Sequence, residues 1–502
     1  MSNIFNSLIK FPLYLLVFLL PLFFLPFSFE AYEFNKQYLL FFLVSLAFLA
    51  WIAKMVICDK GIKFRRTPLD TPVLIFLFVA ILSTIFSVDK ISSLLGFYGR
   101  FSDGLIGLLS LGVLYFLITN NIGIANNGSR TSIILLNSLL KVFLWSSFFV
   151  ILISYFSLFG IWAKIQSFTG LKLPSVMLQR TFNLTSGSME GLSIFLSIVA
   201  VLLVGLLLFS GDYKSRAKTF FYYFLLAVSL LLLIIADLPR AWIVLGLTLF
   251  LFVCIALWKR IFRGNINSLL LPIAIIIIAA IFLMANPLKG EQGLSLARGL
   301  PQEQVLDQET SWRIAARTAT ENIKSGFLGS GIGTFYYAFS KFKSVEFNQN
   351  WFWQIRFDRT GTHFAEILGT MGFLGLISYI VLFGMFLLIS YFFLQQNRNG
   401  VPLFLALFAL LVGQFVYYQN TVLAFTFWLF LGLSVISWQR PIAEKTISFK
   451  DFPELSLVFS VFLVVLGLAI LGSYFFAGRF YLADIAFANA FRTATHLPKL
   501  QI

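Results

Sequence analysis

Residues 189–210 read MEGLSIFLSIVAVLLVGLLLFS. No side chain from Gly191 to Ser210 ionises, and roughly 20 apolar residues in a helix cross the hydrocarbon core of a bilayer. Runs of this kind recur along all 502 residues, of which 59% are hydrophobic and only 12% charged; a soluble domain is nearer a quarter charged. The fold class that follows is all-α, a polytopic membrane protein. About thirteen spans are expected by the length criterion. They lie near 9–28, 38–57, 69–88, 104–120, 134–159, 189–210, 219–236, 241–258, 267–285, 364–394, 401–419, 421–438 and 455–476. The stretch 401–438 is interrupted by GQFVYYQN, read as a tight outer turn. The first run lacks an A-x-A site after it and is longer than a signal h-region, so it reads as an uncleaved span.

Charge sets the expected orientation. The loops CDKGIKFRRTP, GDYKSRAKT, KRIFRGN and QRPIAEKTISFK are basic, and positive loops stay cytoplasmic. That places the N-terminus inside, a multi-pass chain in the cytoplasmic (inner) membrane, and the one long polar loop, 286–362, outside. The net charge of +16 has the same origin. No long basic soluble segment exists to bind nucleic acid. Two cysteines, Cys58 and Cys254, and two histidines offer no metal-ligand spacing, and no cofactor is expected. The organisation expected is a bundle of about nine spans over 1–285, the external loop 286–362, further membrane helices over 363–476, and a C-terminal segment 477–502. That last segment spaces Phe480, Ala483, Phe487, Ala490 and Phe491 on one helical face, as an interfacial helix or the first helix of a repeat domain.

Inside the long loop, DQETSWRIAARTATENIKSG (307–326) predicts an amphipathic helix capped by Thr310 or Ser311 and ended by Gly326. Trp312, Ala315, Ala316, Ala319 and Ile323 form its apolar face. The glycine-rich GSGIG (329–333) follows. No Lys-Ser/Thr comes after it, so it is no nucleotide motif; a tight turn folding the loop back on the membrane is the plainer reading, a backbone nest for phosphate the sharper one. NQNWFWQIRFDR (348–359) is rich in Trp and Phe, as at a membrane interface.

Arginines gather beside spans on the expected outer face: Arg100, Arg180, Arg240, Arg313, Arg317, Arg356 and Arg359. A guanidinium binds phosphate bidentately and keeps its charge at a lipid boundary, although interfacial arginines also snorkel to ordinary headgroups. Arg240 stands out because ADLPR is a very short loop that both flanking helices fix. His363 opens span ten, where a neutral ring could accept a proton, and Glu366 lies one turn on, facing the same way. Span middles are nearly charge-free, Lys141 excepted, which favours chemistry at the surface over transport through the bundle.

SWRIAARTATENIKSGFLGSGIGTFYYAFSKF, a polar loop and EILGTMGFLGLISYI together resemble the O-antigen ligase family, which includes O-antigen polymerases and bacterial O-oligosaccharyltransferases. Arg313, Ala316, Gly331, Gly333 and Phe335 match the first part of its signature, and Gly372 and Gly375 the last. ADLPRAW looks like its short outer arginine loop, through Arg240. QRTFNLTSGSMEG and GFYGRFSDGL are similar through Arg180, Arg100 and Gly104. The resemblance runs from about residue 90 to 440. One departure is plain: in family register its His-Asn falls near Gly361, whereas this chain has His363 two residues on, and no Asn. The resemblance implies a metal-independent glycosyltransferase of cell-envelope polysaccharide or lipopolysaccharide synthesis. It would move a glycan from an undecaprenyl (polyprenyl) diphosphate donor to a glycan, lipid or protein acceptor. His363 and Glu366 would be its catalytic residues, and Arg240, Arg180, Arg313 and Arg100 would hold the diphosphate. The alternatives are a transporter or flippase, or a non-catalytic binder, of lipid-linked glycans.

Overall fold

The computed structural model describes residues 1–122, 129–209, 215–260, 262, 266–285, 303–349, 351–393, 400–438, 443–449 and 453–496. The part of the expected external loop at 286–302 lies outside them. Among the described residues, nine helices are long and apolar enough to cross a membrane, and four more apolar helices are shorter. The chain is a multi-pass helical membrane protein.

The helices in the expected positions are α1 (Ser2–Leu19), α2 (Glu33–Ala53), α3 (Asp70–Ile85), α5 (Leu105–Asn121), α6 (Ser129–Leu158), α8 (Met189–Phe209), α9 (Arg216–Ala236), α10 (Pro239–Trp258), α11 (Leu270–Ala285), α15 (His363–Phe393), α16 (Val401–Val416), α17 (Thr421–Ser437) and α18 (Pro453–His496). Short helices α4 (Lys90–Leu95) and α7 (Ile161–Thr169) lie between them, and α12 (Gln308–Thr320), α13 (Ile323–Leu328) and α14 (Phe335–Phe342) build the long loop. The all-apolar run that opened the sequence reading is α8, buried along nearly its whole length against α9, α10 and α16. α17 is buried on every face. These two form the centre with the largely buried α5 and α16, while peripheral helices such as α3, α9, α11 and α18 turn exposed Leu, Ile and Phe side chains outward.

The loops sort into two ends. At one, strand β1 (Gly61–Arg66) pairs antiparallel with β2 (Ala443–Ser448), Arg65 opposite Glu444. Both strands come from loops that the charge pattern puts on one side, and they meet at one end of the bundle. At the other end, α12, α13 and α14 pack over the membrane helices with a small core of Leu306, Ile314, Phe335, Phe339 and Phe357.

Several boundaries differ from expectation. The first helix is α1 at Ser2–Leu19, not 9–28: it starts earlier, carries Pro12 within it, and ends just before Pro21. The loop helix is capped by Asp307, whose carboxylate accepts from Thr310 N at 2.8 Å. It stops at Thr320, where Asn322 caps a second helix ending at Gly329. Its buried face carries Ser311, Ile314, Ala315, Thr318 and Ala319, while Ala316 is exposed and Ile323 is 81% exposed. α18 runs unbroken past residue 476 to His496, lying along α2.

The feature that positions the site is a break in α15. Gly372 has φ 68° and ψ −167°, a conformation open to glycine, and divides the helix into His363–Met371 and Phe373–Phe393. The GSGIG turn docks there. Ser330 N donates to Gly369 O at 3.1 Å and Gly331 N to Thr370 O at 2.9 Å, and the Ser83 hydroxyl also donates to Thr370 O at 2.9 Å. Carbonyls freed by the break are thus satisfied by protein, as a non-polar surrounding demands. The turn is a packing device, in line with its plainer reading.

Candidate functional site

The GSGIG contact holds the first half of α15, His363–Met371, under α12 and α13. Its first residues, His363 and Glu366, line one cavity of about 70 Å³ with Asp103, Gln419 and Tyr379. His363 N donates to Tyr417 O at 3.2 Å, and its ring meets Tyr379 edge-on with centroids 5.5 Å apart. Tyr379 is itself fixed by its hydroxyl bond to Gln414 Oε1 at 2.9 Å. The Glu366 side chain takes no hydrogen bond from the described residues and is 8% exposed. A cavity of this size holds a hydroxyl group and a few waters.

Around this cavity three arginines meet carboxylates. Arg359 is 4% exposed; its Nη2 lies 3.2 Å from Asp103 Oδ2, and its guanidinium sits over the Tyr418 ring at 4.5 Å. None of its three nitrogens has a well-aligned acceptor among the described residues. Burial works against the Arg359 charge, but Asp103 and Glu33 outweigh it and hold it ionised. Burial pushes the Asp103 carboxyl up from its ordinary range, against the pull of Arg359. Arg100 Nε lies 2.9 Å from Asp358 Oδ2. Arg240, placed by Pro239 at the first turn of α10, pairs with Glu190 and lies 5.9 Å from the Tyr417 ring centre.

The Tyr417–Tyr418 pair links these groups. The two rings stack at 4.1 Å, and both hydroxyls donate to Glu303, Tyr417 at 2.6 Å. Ser188 donates to the same carboxylate. Burial pushes both tyrosine hydroxyls up, so they stay protonated and keep donating. Next along, Thr421 Oγ1 donates to Glu33 at 2.6 Å, and Ser102 donates to Glu33 and Asp103 at 3.1 and 3.0 Å. Gln419 Nε2 and Asn420 Nδ2, from the same turn, have no acceptor among the described residues.

Of the residues singled out by sequence, His363 and Glu366 share one cavity, and Arg240 and Arg100 join the surrounding polar layer. Arg180 is exposed and forms no hydrogen bond or ion pair among the described residues. Arg313 lies on α12, half-buried, 4.0 Å from Glu309 and 3.4 Å from Thr310 Oγ1. Lys141 is exposed on the outside of the bundle. The sequence reading passed over Asp103, Glu190, Glu303, Glu33 and the tyrosine pair. The signal for Tyr417 and Tyr418 was there, as two aromatic hydroxyls in the turn GQFVYYQN; the carboxylates carried none, since acids next to spans look like ordinary loop residues. The chain matches no protein-family model and no curated protein, so function has to be argued from these residues.

Proposed function

We propose that this chain is an outer-face glycan transferase of the O-antigen ligase type, in the cytoplasmic membrane, with the α12–α14 end external. The observation that carries the reading is a set of buried donors without acceptors beside the His363–Glu366 cavity. These are the side-chain amides of Gln419 and Asn420, and the Arg359 guanidinium, whose ion pair with Asp103 leaves none of its N–H groups with a well-aligned acceptor among the described residues; such groups call for an oxygen-rich ligand. A sugar diphosphate on a lipid carrier supplies those oxygens, and its lipid can stay in the bilayer.

The chemistry needs one base and one charge sink. His363 or Glu366 takes the proton of an acceptor hydroxyl. That oxygen attacks the anomeric carbon, the bond from this carbon to the diphosphate oxygen breaks, and the leaving charge falls to Arg359 and Arg240. The products are the glycosylated acceptor and free polyprenyl diphosphate. The surroundings impose a condition. Asp103, Glu190 and Asp358 already occupy the three arginines, so the diphosphate has to share or displace carboxylates.

That condition and the break at Gly372 favour a second reading, a transporter for lipid-linked glycans, since broken helices and buried acids mark transport sites. The test is reconstitution in liposomes with a labelled polyprenyl-diphosphate glycan and mixed acceptors, reading release of free polyprenyl diphosphate. Release by wild type that is lost in Arg359→Met and in the double variant His363→Ala, Glu366→Gln supports the transferase. Movement of the label across the bilayer without release supports the transporter and rejects the transferase.

A further inference from the structure

α5 separates the His363 cavity from a second and larger one. Leu108 and Leu111 face the first, whereas Ile106 and Gly107 face the second. The second cavity measures about 690 Å³ and lies between α2, the first turn of α5 and the outer half of α18. That volume is in the range of lipid and small-molecule sites. Its lining is mostly aromatic and aliphatic, and Phe41 on α2 and Ser473 on α18 are the lining residues furthest from Asp484. α18 is largely lipid-exposed elsewhere, so a membrane lipid can enter along its flank.

Two polar groups give the cavity a direction. Gln37 lines it, is 7% exposed, and its amide nitrogen has no acceptor among the described residues. Asp484 lines it further out and is 6% exposed. Its carboxylate accepts from Phe29 N at 2.9 Å and Tyr98 Oη at 2.5 Å. Both donors are neutral, and no cation pairs with Asp484 among the described residues. A buried carboxylate ordinarily has a cationic partner. The helices run antiparallel, with Tyr481 bonded to Asn35 at 2.8 Å and Tyr474 to Ser45 at 2.7 Å. Asp484 therefore stands level with residue 32, about five residues or 7–8 Å outward of Gln37 at the helical rise.

We propose that this cavity holds an acyl chain of an ammonium-bearing glycerophospholipid such as phosphatidylethanolamine. The ester carbonyl of that chain accepts from Gln37, and the headgroup ammonium pairs with Asp484. An anionic phospholipid would set its headgroup against the carboxylate. A polyprenyl carrier has no carbonyl for Gln37 and carries phosphate where Asp484 sits. The site is thus separate from the proposed donor site, and its test does not depend on transfer activity.

The experiment is native mass spectrometry of the full-length, delipidated protein in mild detergent, titrated with phosphatidylethanolamine, phosphatidylglycerol or a polyprenyl phosphate. One tightly held phosphatidylethanolamine per chain is expected, preferred about tenfold over phosphatidylglycerol, the scale of one hydrogen bond to a charged group. Asp484→Asn should abolish the preference, and Gln37→Leu should weaken retention with the preference kept. Ala477→Trp, which fills the cavity from the half-buried flank of α18, should remove the bound lipid. Equal binding of the two phospholipids, displacement by polyprenyl phosphate, or retention unchanged in Ala477→Trp would each overturn the proposal.

Discussion

Replacing Gly372 by alanine tests how the first half of α15, His363–Met371, is held. A Cβ there would sit 2.6 Å from both the backbone carbon and the carbonyl oxygen of Phe327, atoms that cannot swing aside as a flexible side chain could. The left-handed φ costs an L-residue about 1–2 kcal/mol, and overpacking of this kind costs about 1–3 kcal/mol. Together, about 2–5 kcal/mol should be lost from the docked state of the 326–333 turn. The Ser330 and Gly331 amides report on it directly, because each donates to a carbonyl exposed by the break. Their hydrogen exchange, followed by mass spectrometry in nanodiscs, should speed up by about 30-fold to 4,000-fold at one decade per 1.4 kcal/mol. Gly384→Ala is the control. It lies in the same helix with nothing within 4 Å of its Cβ, so it should leave these amides unchanged and add up to about 1 kcal/mol of helix stability. Unchanged exchange at Ser330 and Gly331 in Gly372→Ala would sink the view that the glycine break anchors the turn.

Other outcomes follow from the polar layer. Glu303→Ala strands the Ser188, Tyr417 and Tyr418 hydroxyls and should cost about 2–4 kcal/mol at about 1 kcal/mol or more for each orphaned group; Glu303→Gln should cost less, and thermal unfolding in detergent compares them. The raised Asp103 carboxyl has a pH consequence. Its contribution to stability is fully present below the ordinary Asp value and is lost as pH rises through the higher folded value. Protonation also releases Arg359 for other anions, so pyrophosphate should bind more tightly as pH falls through that raised value, followed by calorimetry over a pH series. Asp103→Asn should flatten the part of that dependence owed to the protein. Glu190→Gln leaves Arg240 without its counter-charge. Pyrophosphate affinity should then rise several-fold, and a fall would mean that Glu190 positions Arg240 for the anion.

The positions of the membrane helices were legible in the sequence, because lipid leaves the chain few options. A span must be apolar for about 20 residues and must bond its own backbone, as α8 does from Met189 to Phe209. The shared cavity of His363 and Glu366 was legible for a related reason, since residues three apart on a helix face the same way. That the last span and the expected C-terminal helix are one element was not legible, because hydropathy falls near Arg479 while helical propensity continues through LADIAFANAF, so α18 runs unbroken to His496. Nor was the break at Gly372, where EILGTMGFLG carries the pattern of a continuous apolar helix and only the docking of GSGIG requires the turn. The pairing of Arg359 with Asp103, of Arg240 with Glu190 and of Tyr417 with Glu303 also had no local signature. Periodicity and hydropathy act over one or two turns of a helix, so they set what each segment must be. Which charges meet around the His363 cavity depends on how distant segments pack, and burial there leaves each charge only the partner the fold brings to it.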